Sequence, residues 1–182
     1  SAYTPAIDAS GMPMPSGMTQ IRSASGATAW VRSDAAPQFQ AAIDEIDKLP
    51  HTDTWKGIKT LGGYSDRSVR GHPGVRSSHG EEGAIDINEN DYPAGSRNGF
   101  PPEVAQVLRK YGLGWGGDWT TSVDEMHASR RAREGGRMLT PDEVEIIKRG
   151  GALKDKSSYL LAPPILGGST SRTASLNQKT DI

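Results

Sequence analysis

The sequence predicts an α+β domain with a small antiparallel sheet and a few helices. Three observations carry this reading. Helical spacing or helix boundary signals occur at 35–48, 102–111 and 141–149. Short apolar or Gly-bounded stretches at 55–64, 84–88 and 113–119 lie between them and read as strands or turns. The chain has 182 residues, enough for one domain of ordinary size plus tails.

Composition narrows the class further. Hydrophobic residues make up 34% and mean hydropathy is −0.59, which implies a lean core under a polar surface. A net charge of −1 and a pI near 6.4 give no reason to expect nucleic acid as a partner. Cysteine is absent, so no disulfide framework is possible and a metal site would need His and carboxylates. No apolar run reaches transmembrane length, and no secretory signal is legible at the start.

Taken in order, residues 1–33 are rich in Ser, Ala, Gly, Pro and Met. Gly11-Met12-Pro13-Met14-Pro15 excludes a helix or central strand, because proline lacks an amide donor. The segment reads as a flexible leader or as an arm docking through adaptable Met side chains. A helix is expected over 35–48, with Ser33 or Asp34 as cap and Pro37 in its first turn. Phe39, Ile43 and Ile46, with Leu49 or Ala42, form its buried face, and Pro50 ends it. His51 and His72 fall in polar turns and are not taken as ligands. Residues 55–64 read as a strand leading to a turn at Gly62-Gly63. Arg67 and Arg70 follow; either guanidinium suits a peptide carboxylate or a developing oxyanion, and either suits a solvated surface equally well.

Residues 84–88 read as a buried strand that sends Ile85 and Ile87 to the core and Asp86 to the opposite face. The long polar loop 89–102 reads as a groove lining. The helix at 102–111 buries Val104, Val107 and Leu108 and stops at Gly112. In the glycine-laced stretch 113–119, Trp115 and Trp119 are core aromatics, or one of them walls a pocket. Arg130, Arg131 and Arg133 read as a solvated basic face. A helix at 141–149 has Thr140 as cap, Pro141 at its first position and Glu143 three residues after the cap. From 163 onward the chain is Gly/Ser/Thr-rich and reads as a tail or docking strand.

Two stretches carry chemistry. The first is Ser77-Ser78-His79-Gly80-Glu81-Glu82-Gly83-Ala84-Ile85-Asp86. The second runs from Gly114-Trp115-Gly116-Gly117-Asp118-Trp119 to Asp124-Glu125-Met126-His127. They hold two of the four histidines. Zn²⁺ is commonly held by three His or carboxylate ligands with a fourth position open. His79, Asp86 and His127 can make such a set, leaving Asp124 or Glu125 as a base. The spacing from His79 to Asp86 is too long for one helical turn and suits a strand entered through a Gly-rich turn. In an extended chain, alternation from His127 puts Glu125 on the metal side.

These stretches resemble the M15-type zinc peptidases, the D-Ala-D-Ala carboxypeptidases and L-alanyl-D-glutamate endopeptidases that include many phage lysins. The family motif is Ser-x-His-x-x-Gly-x-Ala-x-Asp, followed by a carboxylate three residues before a final His. Ser77, His79, Ala84 and Asp86 fall in register. Glu82 stands where the motif has glycine, and Gly83 comes one residue later. Ala128-Ser129 replace the aromatic and acidic residues that usually follow the final His. The resemblance spans roughly residues 34–129.

The resemblance implies a hedgehog/D-Ala-D-Ala-peptidase-like fold and one Zn²⁺ on His79, Asp86 and His127. It implies Asp124 as base, which requires a turn between Asp124 and His127. Arg67, with Arg70 as alternative, would meet substrate, beside Trp115; Ser77 and Glu125 would support the ligands. The organisation expected is an arm at 1–33, a zinc peptidase domain at 34–162 and a tail at 163–182. The implied substrate is the peptidoglycan stem peptide, met in the bacterial periplasm or cell wall by a released phage lysin or a virion (tail) component. The arms would contact other virion proteins. A virion structural component that keeps the fold and metal with weak activity is the alternative.

Overall fold

The computed structural model describes residues 7, 11, 13–65, 68–69 and 72–154. Arg67, Arg70 and the 163–182 tail lie outside the described residues. The elements are β1 Met18–Arg22, β2 Thr28–Arg32, α1 Ala36–Asp47, β3 Leu61–Gly62, β4 Ser68–Val69, β5 His72–Arg76, β6 Ala84–Ile87, α2 Pro102–Lys110, β7 Gly114–Trp115, β8 His127–Ser129 and α3 Pro141–Lys148. The α+β expectation holds. A four-stranded antiparallel sheet runs in the order β3-β6-β8-β7, accompanied by the hairpins β1-β2 and β4-β5.

The core sits between α1, α2 and one face of the sheet. Phe39, Ala42, Ile43 and Ile46 of α1 are buried with Ile85 and Ile87 of β6, Ala128 of β8, and Val104 and Leu108 of α2. The three-and-four spacing along α1 and the alternation along β6 are thus realised as read. The cap of α1 differs from expectation. Ala35 is its N-cap with no side-chain hydrogen bond, and Asp34 pairs instead with Arg130. At α3, Thr140 and Glu143 form a full capping box.

Two expectations need correction. The segment 1–33 is not wholly an arm. Its part from Met18 to Arg32 is a hairpin with Ile21 and Val31 both 1% exposed in the main core. Ser23 and Ala24 anchor the hairpin turn on Asp47 at the end of α1. One buried residue in β1, Ile21, and two in β2, Ala29 and Val31, give a weak pattern, which the Pro/Gly-rich start obscured. Only Leu61–Gly62 of the expected 55–64 strand is extended in the sheet. Before it, the Asn88 side chain replaces a ladder partner. Its Oδ1 accepts from Lys59 and Thr60 N–H and its Nδ2 donates to Gly57 O.

Candidate metal centre

β6 and β8 set the geometry. Asp86 lies directly opposite His127, and Gly62 flanks Asp86 on the other side. Ile87 N–H bonds to Met126 O at 2.9 Å. Asp86 and His127 therefore form the neighbouring non-hydrogen-bonded pair, whose side chains come closest across an antiparallel ladder. His79 arrives from the turn before β6. Gly83 closes that turn at φ +105°, a conformation that favours glycine, and a Cβ there would press on Phe39. The glycine displaced by one from the family motif thus occupies the position that needs it.

His79, Asp86 and His127 each offer a ligand atom within 4.8 Å of the others. His79 Nε2 is 3.3 Å from Asp86 Oδ2, and His127 Nδ1 is 3.3 Å from Asp86 Oδ1. The outer ring nitrogens assign the tautomers. His79 Nδ1–H donates to Gly63 O at 3.0 Å, and His127 Nε2–H donates to Glu134 at 2.7 Å. With both imidazoles neutral, as metal ligation requires, the inner nitrogens carry lone pairs facing the Asp86 carboxylate. Three converging lone-pair groups repel one another unless a cation lies between them. The donor set fits a divalent metal, and the backing of each imidazole by an oxygen is the usual outer support of such ligands.

Electrostatics agree with this picture. Burial works against the charged form of Asp86, but the His127 and His79 contacts outweigh it and hold the carboxyl far below its ordinary range. Burial likewise opposes charge on His127. Its contacts with Asp86 and Glu134 outweigh it and raise the imidazole to about 10 in the metal-free protein, so that without a metal a proton on Nδ1 takes the cation's place. The pocket therefore attracts positive charge.

Glu134 is the residue that sequence reasoning missed. It stands seven positions after His127, within a 3-10 turn, and accepts from His127, Ser78 (3.0 Å) and Ser129 (2.7 Å). Burial opposes its charge, but these bonds, His127 first, bring its pKa down to about 2. It supplies a carboxylate behind the final ligand that Ala128-Ser129 do not. Ser77, expected to support the ligands, accepts from His79 N–H within the turn. Ser78, His127 and Asp86 stand in line, with Ser78 Oγ 3.3 Å from His127 Nε2. They do not make a nucleophile. Ser78 is 2% exposed and donates to Glu134, which also occupies Nε2.

Between Asp124 and His127 the chain turns, with His127 N–H bonded to Asp124 O at 3.2 Å. This is the turn that a carboxylate three residues before the final ligand needs. Gly116 permits it, since a Cβ there would lie 2.1 Å from Asp124 O. Asp124 Oδ1 is buried with no hydrogen-bond partner. Burial pushes its pKa up to about 6, against the opposing charges of His127 and His79 and with those of Asp86 and Glu134. Glu125 is 4% exposed, and its carboxylate accepts from Asn98 N–H, tying it to the 89–102 loop. Arg97 and Gly95 fasten the same loop to Gly117, Trp119 and Val123.

Of the two tryptophans, the one expected beside the substrate, Trp115, is not the one that lies against a ligand. Trp115 packs on Phe100, lies under the Arg109 guanidinium and donates to Glu125 O. Trp119 is the one beside a ligand, 5.3 Å from His127 between ring centroids. The 3-10 turn Gly116–Asp118 separates the two tryptophans, so residues that an unbroken strand would place on one face take different neighbours. The basic run also departs from a solvated face, since Arg130 and Arg131 are buried and only Arg133 is exposed.

A family model described as D-alanyl-D-alanine carboxypeptidase matches residues 70–130, about a third of the chain. The matched segment contains His79, Asp86, Asp124 and His127. No curated protein and no solved structure matches the chain. The match supports the M15 peptidase family and a peptidoglycan-related peptidase, from a family whose members are typically metallopeptidases. No helix among the described residues is long and apolar enough to cross a membrane.

Proposed function

We propose that the protein is a zinc-dependent hydrolase of peptidoglycan stem peptides, of the L-alanyl-D-glutamate endopeptidase or D,D-carboxypeptidase type. The observation that carries this reading is the His79–Asp86–His127 ligand set with the half-buried Asp124 carboxylate near it, one of its oxygens without a hydrogen bond, inside the matched segment. Zn²⁺ held there would supply Lewis acidity, making water nucleophilic near neutral pH and polarising a peptide carbonyl. Asp124 takes the proton from the attacking water and delivers it to the leaving amine. Its buried, elevated carboxyl suits both halves of that task better than Glu125, which the loop already holds. Arg67, or Arg70, steadies the substrate carboxylate or the oxyanion. Trp119 walls the pocket and limits water access on the His127 side.

The setting proposed is the bacterial cell wall, reached by a phage endolysin or a virion-associated lysin whose outer segments contact other virion proteins. Digestion of purified cell wall, with released ends identified by mass spectrometry, tests the reading. New amino ends on D-glutamate identify the endopeptidase, and free D-alanine identifies the carboxypeptidase. No release by zinc-loaded protein would contradict the enzyme and favour a virion structural role.

A further inference from the structure

Two features stand outside the chemistry proposed above: Glu82, where the family motif has glycine, and the arginine run after β8. The structure joins them. The Arg131 guanidinium is 5% exposed and donates from Nε to Glu82 Oε2 at 2.9 Å. It also donates from Nη2 to Arg76 O at 3.0 Å and to Glu81 Oε2 at 3.4 Å. Its Nη1 lies 3.8 Å from Glu134 Oε2. One buried cation thus touches the strand end before the His79 turn, both acidic residues of that turn, and the carboxylate that orients His127.

The backbone reinforces the link. Arg131 O accepts from Glu134 and Gly136 N–H, placing Glu134 on its 3-10 turn. The turn carrying His79 leaves its carbonyls at 80, 81 and 82 outside the sheet ladder. Arg32 takes Gly80 O and Glu81 O, and Arg130 takes Glu82 O. Those contacts hold the backbone of the turn, but neither Arg32 nor Arg130 bonds to Glu134. A glycine at 82 would leave Arg131 only the longer Glu81 contact among the carboxylates of that turn.

We propose that Arg131 is a positioning residue of the metal centre, its guanidinium tying the turn that bears His79 to the carboxylate that holds His127 and so fixing the separation of the two imidazoles. On this account Glu82 and Arg131 act as a pair across 49 positions of the sequence. A planar fork with several donors can serve these acceptors at once, which a lysine cannot reproduce fully.

The inference rests on the metal reading, and its test separates the two. Zinc affinity of the full chain is measured by competition with a chromophoric chelator, with folding followed by circular dichroism. Arg131→Ala is expected to weaken zinc about 10- to 100-fold, the scale seen when outer supports of metal ligands are lost. Millimolar guanidinium ion should restore much of that affinity, and sodium chloride at equal ionic strength should not. Arg137→Ala, which removes a partner of Glu143 away from the centre, should leave affinity unchanged. Should Arg131→Ala fail to fold, Glu82→Ala removes the other half of the pair at a more exposed site and should also weaken zinc. Wild-type affinity in folded Arg131→Ala or in Glu82→Ala, or an equal loss in Arg137→Ala, would overturn the proposal. A wild-type chain that binds no zinc would defeat the metal reading and this inference with it.

Discussion

Asp124 holds one carboxylate oxygen buried and unpartnered beside the candidate ligands, while the neighbouring Glu125 spends its carboxylate on Asn98. The two substitutions should therefore differ in kind. Asp124→Asn should retain metal and lower turnover by roughly two or more orders of magnitude, the scale of lost general-base catalysis. Glu125→Gln should loosen the 89–102 loop with a smaller effect on turnover. A raised carboxyl pKa also has a sign for stability. The folded metal-free protein binds a proton at Asp124 more tightly than the unfolded chain does, so this residue's contribution falls as pH rises from 3.8 toward about 6. Metal-free Asp124→Asn should then melt above metal-free wild type at pH 7, and the difference should vanish below pH 4. A lower melting temperature at pH 7 would contradict the burial argument. Glu134→Gln keeps the shape but loses the charge behind His127, and about a 10- to 100-fold loss of metal affinity is expected in chelator competition.

At the scale of elements, the β1-β2 hairpin belongs to the folded unit. Ile21→Ala should cost about 2–5 kcal/mol in denaturant unfolding, as for other fully buried aliphatic side chains. Deleting residues 1–32 should abolish the cooperative melting transition; an unchanged transition would return the hairpin to the status of an arm. Much of the rest was legible because its signals are local. The α1 face, the β6 alternation and the Thr140–Glu143 box depend on residues within a few positions of one another. His79 and Asp86 were legible for a similar reason, lying within one turn and strand, whereas His127, 41 residues after Asp86, was legible through the family resemblance. Glu134, Gly63 and Arg131 were not. Their roles arise from contacts between distant segments, and no period marks them. The arginine run looked solvated because burying a guanidinium requires carboxylates and carbonyls that only the folded chain brings to it. Trp119, not Trp115, lies against a ligand because a 3-10 turn that residue spacing does not mark separates their surroundings.

For the molecule as a whole, the fold is a lean core whose sheet presents Asp86 and His127 on the face away from the helices, with His79 brought beside them by the turn before β6. Everything proposed about catalysis depends on a divalent cation meeting those ligands. The most direct test is metal content of the purified chain after equilibration with zinc and removal of the excess. The account predicts about one Zn²⁺ per chain, lost in His79→Ala and in Asp86→Ala while both variants stay folded. Full retention of zinc in both variants, or a wild-type chain that retains none, would contradict it.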